Sequence, residues 1–213
     1  EASYFNGTGK LRWKVEFAMR LSALQILFEA YGKDILDSVK VNDEITRRIL
    51  NFEPPLHIVY EMFLDKSGKK ISKSYGNVFT PQVWFNYGSP QSLLLLMLKR
   101  FEGTRELDVT DVPKYMDELN KLERVYFDLE KTENERDLVN LKRLFEFVRL
   151  LKPPRKPSLH VAYSTLIEIA RILPEKNAVE FAIGKLKEFG RVKEVNEKIK
   201  KEIEQKINFA RKW

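Results

Sequence analysis

Apolar positions along this chain change their period near residue 89. Before it they come in short runs, such as Tyr60-Glu61-Met62-Phe63-Leu64, separated by the turn signals Asn6-Gly7-Thr8-Gly9, Tyr31-Gly32-Lys33-Asp34, Glu53-Pro54-Pro55 and Ser67-Gly68. A short apolar run bounded in this way predicts a strand, here over 60–64. Two longer stretches, 14–30 and 43–52, predict helices, the second with acidic residues in its first turn that suit the helix dipole. This portion reads as α/β. Its sheet needs further strands, so an uncovered edge is expected to leave the isolated piece unstable or adhesive.

From Ser89 onward the pattern is helical. Ser89-Pro90 offers an N-cap followed by proline at the first helical position, and 91–101 is an unusually apolar helix suited to burial. After Val112-Pro113 a second helix runs to about 129, with Tyr115, Met116, Leu119, Leu122 and Tyr126 on one stripe. The polar run 132–136 marks a linker or a helix start. Four amphipathic helices are predicted beyond it, at 137–151, 160–173, 178–189 and 194–212. Pro153-Pro154-Arg155-Lys156-Pro157, Pro174 and a C-capping Gly190 divide them. The chain therefore falls into three parts, 1–90, 91–131 and 132–213, and α-helix dominates.

Composition narrows the function classes. With 213 residues and 43% hydrophobic content the chain can bury one or two cores. It has no run of 18 apolar residues and no charged-apolar-small progression at its start, which predicts neither a membrane span nor a secretory signal and makes the cytoplasm the expected location. The absence of cysteine excludes disulfides and thiolate metal sites here, and two distant histidines, His57 and His160, argue against zinc.

Charge is uneven: 142–213 carries 18 Lys+Arg against 9 Asp+Glu, whereas 91–141 carries 8 against 12 and 1–90 carries 12 against 10. A basic excess in the last third suits phosphate contacts to RNA, although a solvated Lys/Glu-rich helical surface has a similar composition. Arg149, Lys152, Arg155, Lys156, Arg191 and Lys193 fall at helix ends or loops and are the candidate RNA contacts. Phe145, Phe147, Tyr163, Phe181, Phe189, Phe209 and Trp213 could stack on bases, but most fall on apolar helical stripes, which assigns them to packing.

The stretch that carries chemistry is Gly68-Lys69-Lys70-Ile71-Ser72-Lys73-Ser74-Tyr75-Gly76-Asn77-Val78. Lys70 and Lys73 are compact point charges on flexible stems, able to follow charge from a bound triphosphate to departing pyrophosphate. Ser72 and Ser74 add hydroxyl donors, while Gly68 and Gly76 allow sharp turns and close approach of the backbone. A basic surface turn contains the same residue types.

Their order separates the two readings. K-I-S-K-S followed by x-G-N closely resembles the K-M-S-K-S signature of class I aminoacyl-tRNA synthetases, with isoleucine for methionine the one difference. Gly9-Lys10-Leu11-Arg12-Trp13-Lys14-Val15-Glu16, Met19-Arg20, Phe28-Glu29-Ala30-Tyr31-Gly32-Lys33-Asp34, Phe79-Thr80-Pro81-Gln82 and the segment from Pro90 to Arg100 are similar to the class I lysyl-tRNA synthetases. Two positions depart from that pattern: Ile35 stands where the family usually has histidine, and Leu21 where it has a second tryptophan.

The resemblance implies a remnant of a Rossmann catalytic domain over 1–90, a helical stem-contact fold over 91–131 and an all-α anticodon-binding domain over 132–213. It implies that Lys70 and Lys73 are catalytic, that Lys70, Ser72, Lys73 and Ser74 hold ATP, and that Trp13, Gly32 and Asp34 meet the lysine substrate. Lysine, ATP and lysine tRNA are the implied partners. Magnesium would travel on the ATP phosphates with no protein metal site. The family's second signature, H-x-G-H or H-x-G-N, does not occur, since neither His57 nor His160 has a glycine two residues on. The 69 residues before Lys70 also fall short of the roughly 100 to 150 needed for a nucleotide-binding half domain with its insertions. The chain thus reads as the C-terminal part of a synthetase, inactive without the preceding half of the catalytic domain.

Three other readings stay open at this level. Another class I synthetase, glutamyl or arginyl, would differ in the amino acid it charges. A free-standing tRNA-binding module would bind tRNA with a steep salt dependence and exchange no pyrophosphate. A structural helical protein with an accidental K-I-S-K-S would bind neither.

Overall fold

The computed structural model describes residues 7, 9–61, 63–71, 79–100 and 103–213. The chain divides into two compact units, Glu1–Leu64 with Phe101–Glu106, and Asp65–Arg100 with Leu107–Trp213.

The first unit is α/β. Helix α1 (Trp13–Ala23) is followed by strand β1 (Phe28–Gly32), a 3-10 turn (Lys33–Ile35), helix α2 (Leu36–Arg48) and strand β2 (Leu56–Tyr60). Strands β1 and β2 pair in parallel, from Phe28 opposite Leu56 to Gly32 opposite Tyr60, so α2 is the crossover helix that a parallel pair requires. A second short parallel pair joins β3 (Phe63–Leu64) to β4 (Arg105–Glu106). Helix α1 packs on α2 through buried Ala18, Leu21 and Val39. Buried polar groups there are matched: the Thr46 hydroxyl donates to Asn42 O at 2.7 Å, and the Asn42 amide is placed to donate to Lys14 O and Ser38 O at 3.0 Å each.

Three expectations need correcting in this unit. The helix read over 14–30 ends at Ala23, because Gln25 takes φ +51 and Ile26 N bonds back to Leu21 O at 3.0 Å, after which β1 begins. The helix read over 43–52 starts earlier, at Leu36, and ends at Arg48; Asn51 at φ +51 lies beyond it. The strand read over 60–64 is two strands, β2 and β3. The sheet leaves apolar surface open: Leu27 is 77% and Leu56 71% exposed.

The second unit is helical: α3 (Pro81–Tyr87), α4 (Pro90–Leu98), α5 (Val112–Tyr126), α6 (Glu135–Val148), α7 (Tyr163–Arg171), α8 (Ala178–Glu188) and α9 (Glu197–Lys212). Ser89 caps α4 as expected, its hydroxyl accepting from Ser92 N at 3.2 Å. Leu95, Leu119, Leu122, Phe145 and Val148 form one core cluster of α4, α5 and α6. The stripe read on α5 faces inward, with Met116, Leu119 and Leu122 buried. Helix α9 packs on α7, α8 and α3, and Trp213 meets Tyr87 edge to face at 5.6 Å. Gly190 at φ +64 closes α8 as its sequence position implied.

Short α3 was not anticipated from the periodicity, and α7 begins at Tyr163 instead of 160. The 160–162 stretch is extended because its groups bond elsewhere: His160 meets Glu123, and Val161 O accepts from Asn120 Nδ2 at 3.0 Å. Among the described residues no helix is long and apolar enough to cross a membrane.

Candidate functional site

The K-I-S-K-S run is approached through a turn held by one carboxylate. Asp65 Oδ1 accepts from Ser67 N at 2.9 Å, Ser67 Oγ at 2.6 Å and Lys69 N at 3.0 Å. Asp65 N donates to Lys69 O at 2.8 Å and Gly68 N to Asp65 O at 2.9 Å. Gly68 sits at φ +77, where any side chain would be strained although space is open. The turn delivers Lys70 to solvent. Ser72, Lys73, Ser74 and Gly76 lie outside the described residues.

Both flanks of the run are anchored. On the near side Lys66 Nζ donates to Thr110 Oγ1 and lies 3.7 Å from Asp108 Oδ1, beside the capping box that precedes α5. The Thr110 hydrogen bonds, with a further contribution from Lys66, hold the Asp108 carboxyl below its usual range. On the far side Trp84 of α3 is fully buried, donates Nε1–H to Ser92 Oγ at 2.9 Å and takes the Phe79 ring edge-on at 6.1 Å. Asp65→Ala is expected to raise amide hydrogen exchange at Ser67 and Lys69 by at least about tenfold, since it removes a charged acceptor worth roughly 1.5–3 kcal/mol per bond.

The other proposed site residues lie in the first unit. Gly32 ends β1, and Asp34 in the 3-10 turn folds back so that a Cβ on Gly32 would stand 2.5 Å from its Oδ1. Those two are therefore together, although the Asp34 side chain could turn aside for a Cβ at position 32. Trp13 opens α1, 46% exposed, stacked on Phe17 at 4.9 Å. Sequence reasoning missed a neighbouring polar group: His57 Nε2 lies 3.0 Å from Asp43 Oδ1, with Nδ1 3.8 Å from Glu29 Oε2. Burial raises the Glu29 carboxyl above its usual range, against the effect of His57. No group of three or more His, Cys, Asp or Glu among the described residues is placed to hold a metal.

In the second unit α6 ends in a tight turn in which Leu150 and Leu151 both take positive φ, and Leu151 N bonds to Glu146 O at 2.8 Å. Arg149, at the C-cap, lies with Nη2 3.5 Å from Glu123 Oε1 and its guanidinium over Phe145 at 5.2 Å. Arg149 and Lys156 line one cavity together with Lys198 and Lys206 of α9, two residues not among the candidate RNA contacts named from the sequence. Lys152 and Arg155 are exposed on the same connection, whereas Arg191 and Lys193 are exposed between α8 and α9 and do not line it.

The sequence profile of the family described as tRNA synthetases class I (K) matches residues 1–149. A lysine–tRNA ligase of Cenarchaeum symbiosum is 50% identical over 190 residues, covering 89% of this chain and 36% of that protein. Another, from Cenarchaeum symbiosum strain A, is 48% identical over 210 residues, 99% of this chain and 40% of its own length. The chain belongs to the class I lysyl-tRNA synthetases. A lysine–tRNA ligase of Rickettsia prowazekii is 40% identical over 126 residues, 59% of this chain and 24% of that protein. This synthetase chain thus spans 36–40% of the length of the two archaeal relatives. At its two departures from the family pattern, Leu21 fills the α1–α2 core and Ile35 closes the 3-10 turn partly buried. Of the aromatic residues considered for stacking, Phe145 and Tyr163 are buried in the synthetase core, and Phe147 and Phe189 are exposed.

Proposed function

We propose that the intact protein activates lysine with ATP and transfers it to lysine tRNA, and that this chain supplies the ATP loop and the tRNA-binding helices. The observation that carries the proposal is the K-I-S-K-S run in a class I lysyl-tRNA synthetase, entered through the Asp65 turn that presents Lys70. Lysine carboxylate attacks the α-phosphate of ATP and pyrophosphate leaves. Lys70 and Lys73 stabilise charge on the departing group, with Ser72 and Ser74 donating to phosphate oxygens. Magnesium arrives with the nucleotide. No side chain is asked to act as nucleophile or general base, so positioning and electrostatics carry the rate.

Within the parent enzyme we assign 1–90 to the catalytic domain, 91–131 to the stem-contact fold and 132–213 to the anticodon-binding domain. The exposed apolar surface of the two-stranded β1–β2 sheet supports the first assignment, because parallel sheets are normally covered on both faces. Trp13, Gly32 and Asp34 are assigned to the lysine pocket, the ring packing on the methylenes and the carboxylate facing the ammonium. Arg149, Lys152, Arg155, Lys156, Arg191 and Lys193 are assigned to tRNA phosphates.

A charging assay on the full-length protein tests this. Lysine is expected to be attached to tRNA, with glutamate and arginine giving at most about 1% of its rate, because glutamate would set a second carboxylate against Asp34 and arginine would bring a planar guanidinium where a compact ammonium is held. Attachment of glutamate or arginine would assign the chain to another class I specificity. Tight tRNA binding with no attachment of any amino acid would make it a binding module.

A further inference from the structure

A cavity of about 250 Å3 in the second unit carries more positive charge than its own carboxylates neutralise. Four cations line it, Arg149, Lys156, Lys198 and Lys206, against two anions, Glu123 and Glu202. Both anions are already engaged. Glu123 accepts from Ser158 Oγ, from Ser158 N at 3.3 Å and from His160 Nε2 at 3.1 Å, besides its pair with Arg149. Glu202 accepts from Leu159 N at 2.7 Å and lies 3.5 Å from Lys198. Two donor positions hydrogen-bond to no carboxylate: buried Arg149 Nε has no acceptor among the described residues, and Lys206 Nζ donates to the Leu159 carbonyl, with Glu123, Glu202 and Asp117 acting on it through space. Burial also lowers the Lys206 ammonium from its usual range, the condition an added anion would relieve. The floor beneath these groups is apolar, made by Met116, Leu119 and Phe209.

We propose that this cavity seats one phosphodiester of the bound RNA, with Arg149 and Lys206 holding the phosphate and Lys156 and Lys198 continuing the positive rim toward solvent. The inference rests on the tRNA-binding reading of the helical region and adds a specific seat to it. A phosphodiester carries one negative charge and fits a surplus of two cations without reversing it. An apolar floor under a cationic rim accommodates the adjoining ribose. A free phosphate has the same charged head, so the test separates the two sources.

Full-length protein is titrated with lysine tRNA by fluorescence anisotropy at several salt concentrations. Lys206→Met and Lys198→Gln are each expected to weaken binding about five- to tenfold at 0.1 M salt and to flatten the slope of log K against log salt by about one. Lys131→Gln, which removes one charge from the connection between α5 and α6, is expected to change affinity less than twofold. Lys198→Gln alters an exposed side chain, so a folding defect in Lys206→Met would not decide the result. Equal losses in all three variants, or none in the two cavity variants while the native protein still binds tRNA, would overturn the inference and leave the synthetase reading intact. No tRNA binding by the native protein would overturn both. The melting temperature in inorganic phosphate against chloride at matched ionic strength completes the test. A stabilisation by phosphate that Lys206→Met abolishes, with tRNA affinity unchanged, would assign the seat to free phosphate and overturn the RNA proposal.

Discussion

Lys73→Ala in the full-length protein is expected to lower kcat for lysine-dependent ATP–pyrophosphate exchange by about 100- to 1,000-fold while leaving the KM for ATP within about fivefold. The asymmetry follows from where charge develops. In the ground state the triphosphate is neutralised largely by its magnesium, whereas in the transition state negative charge grows on the bridging oxygen and the leaving pyrophosphate. A lysine reaching that oxygen is worth most at that moment, and loss of one preorganised donor costs roughly 2.7–4 kcal/mol. Lys73→Arg is expected to restore little, since a planar fork cannot take the position of a compact ammonium on a flexible stem. Lys70→Ala should cost less than Lys73→Ala, because Lys70 stands exposed at the end of the Asp65 turn. A KM effect with kcat unchanged would show that the loop only binds ATP.

Glu123→Ala is expected to destabilise the helical unit by about 3–5 kcal/mol, on the order of a 10 °C fall in Tm for a chain of this size. Glu123 is 1% exposed, yet its surroundings favour the charged carboxylate. Burial alone would raise its carboxyl; hydrogen bonds from His160 and Ser158 and the charge of Arg149 outweigh burial and pull it down to about 2 from an ordinary 4.5. Removing the carboxylate strands Arg149 and leaves the 158–160 connection without the acceptor that ties it to α5.

The same shift sets a pH dependence. Because the folded-state value is depressed, the stabilisation is fully present above about pH 4.5 and is lost as pH falls through about 2. The total is about 3 kcal/mol at 1.36 kcal/mol per unit, of which roughly 2 are gone by pH 3. Urea unfolding at pH 6 and pH 3 measures this directly. Glu123→Gln should start less stable and lose about 2 kcal/mol less than the native protein over that interval; an identical loss would mean that Glu123 does not titrate in this window.

Periodicity exposed the helical half because its signals are local. Ser89-Pro90 capped α4, Gly190 closed α8, and the α5 stripe pointed inward as its spacing required. The α/β part was harder for a physical reason. Its parallel strands pair through the crossover helix α2, so nothing within β1 announces its partner, and the sequence over 24–30 reads as a continuation of the α1 pattern although Gln25 at positive φ ends it. Helix α3 escaped notice because seven residues with three aromatics leave too short a window for a 3.6-residue period.

At the candidate site, the order of residues in K-I-S-K-S carried the resemblance to the class I synthetase signature, while 72–78 lie outside the described residues. The anchors on either side were not legible: Asp65 precedes a Ser-Gly turn signal without any mark of the three bonds it accepts, and the Lys66–Thr110 bond joins positions 44 apart. The basic excess of the last third singled out Arg149 and Lys156 by their place at helix ends, but not Lys198 and Lys206, which sit within an amphipathic helix and join the same cavity only when α9 folds against the 153–160 connection. His57 escaped for the same reason, its partners Glu29 and Asp43 lying on β1 and α2.

If Lys70 and Lys73 stabilise the departing pyrophosphate of an ATP that activates lysine, the decisive experiment is exchange of labelled pyrophosphate into ATP by the full-length protein, with lysine, glutamate or arginine supplied singly. Exchange with lysine only, reduced at least about 100-fold by Lys73→Ala, is the predicted result. Exchange that proceeds equally with the other amino acids, or that survives Lys73→Ala undiminished, would contradict it.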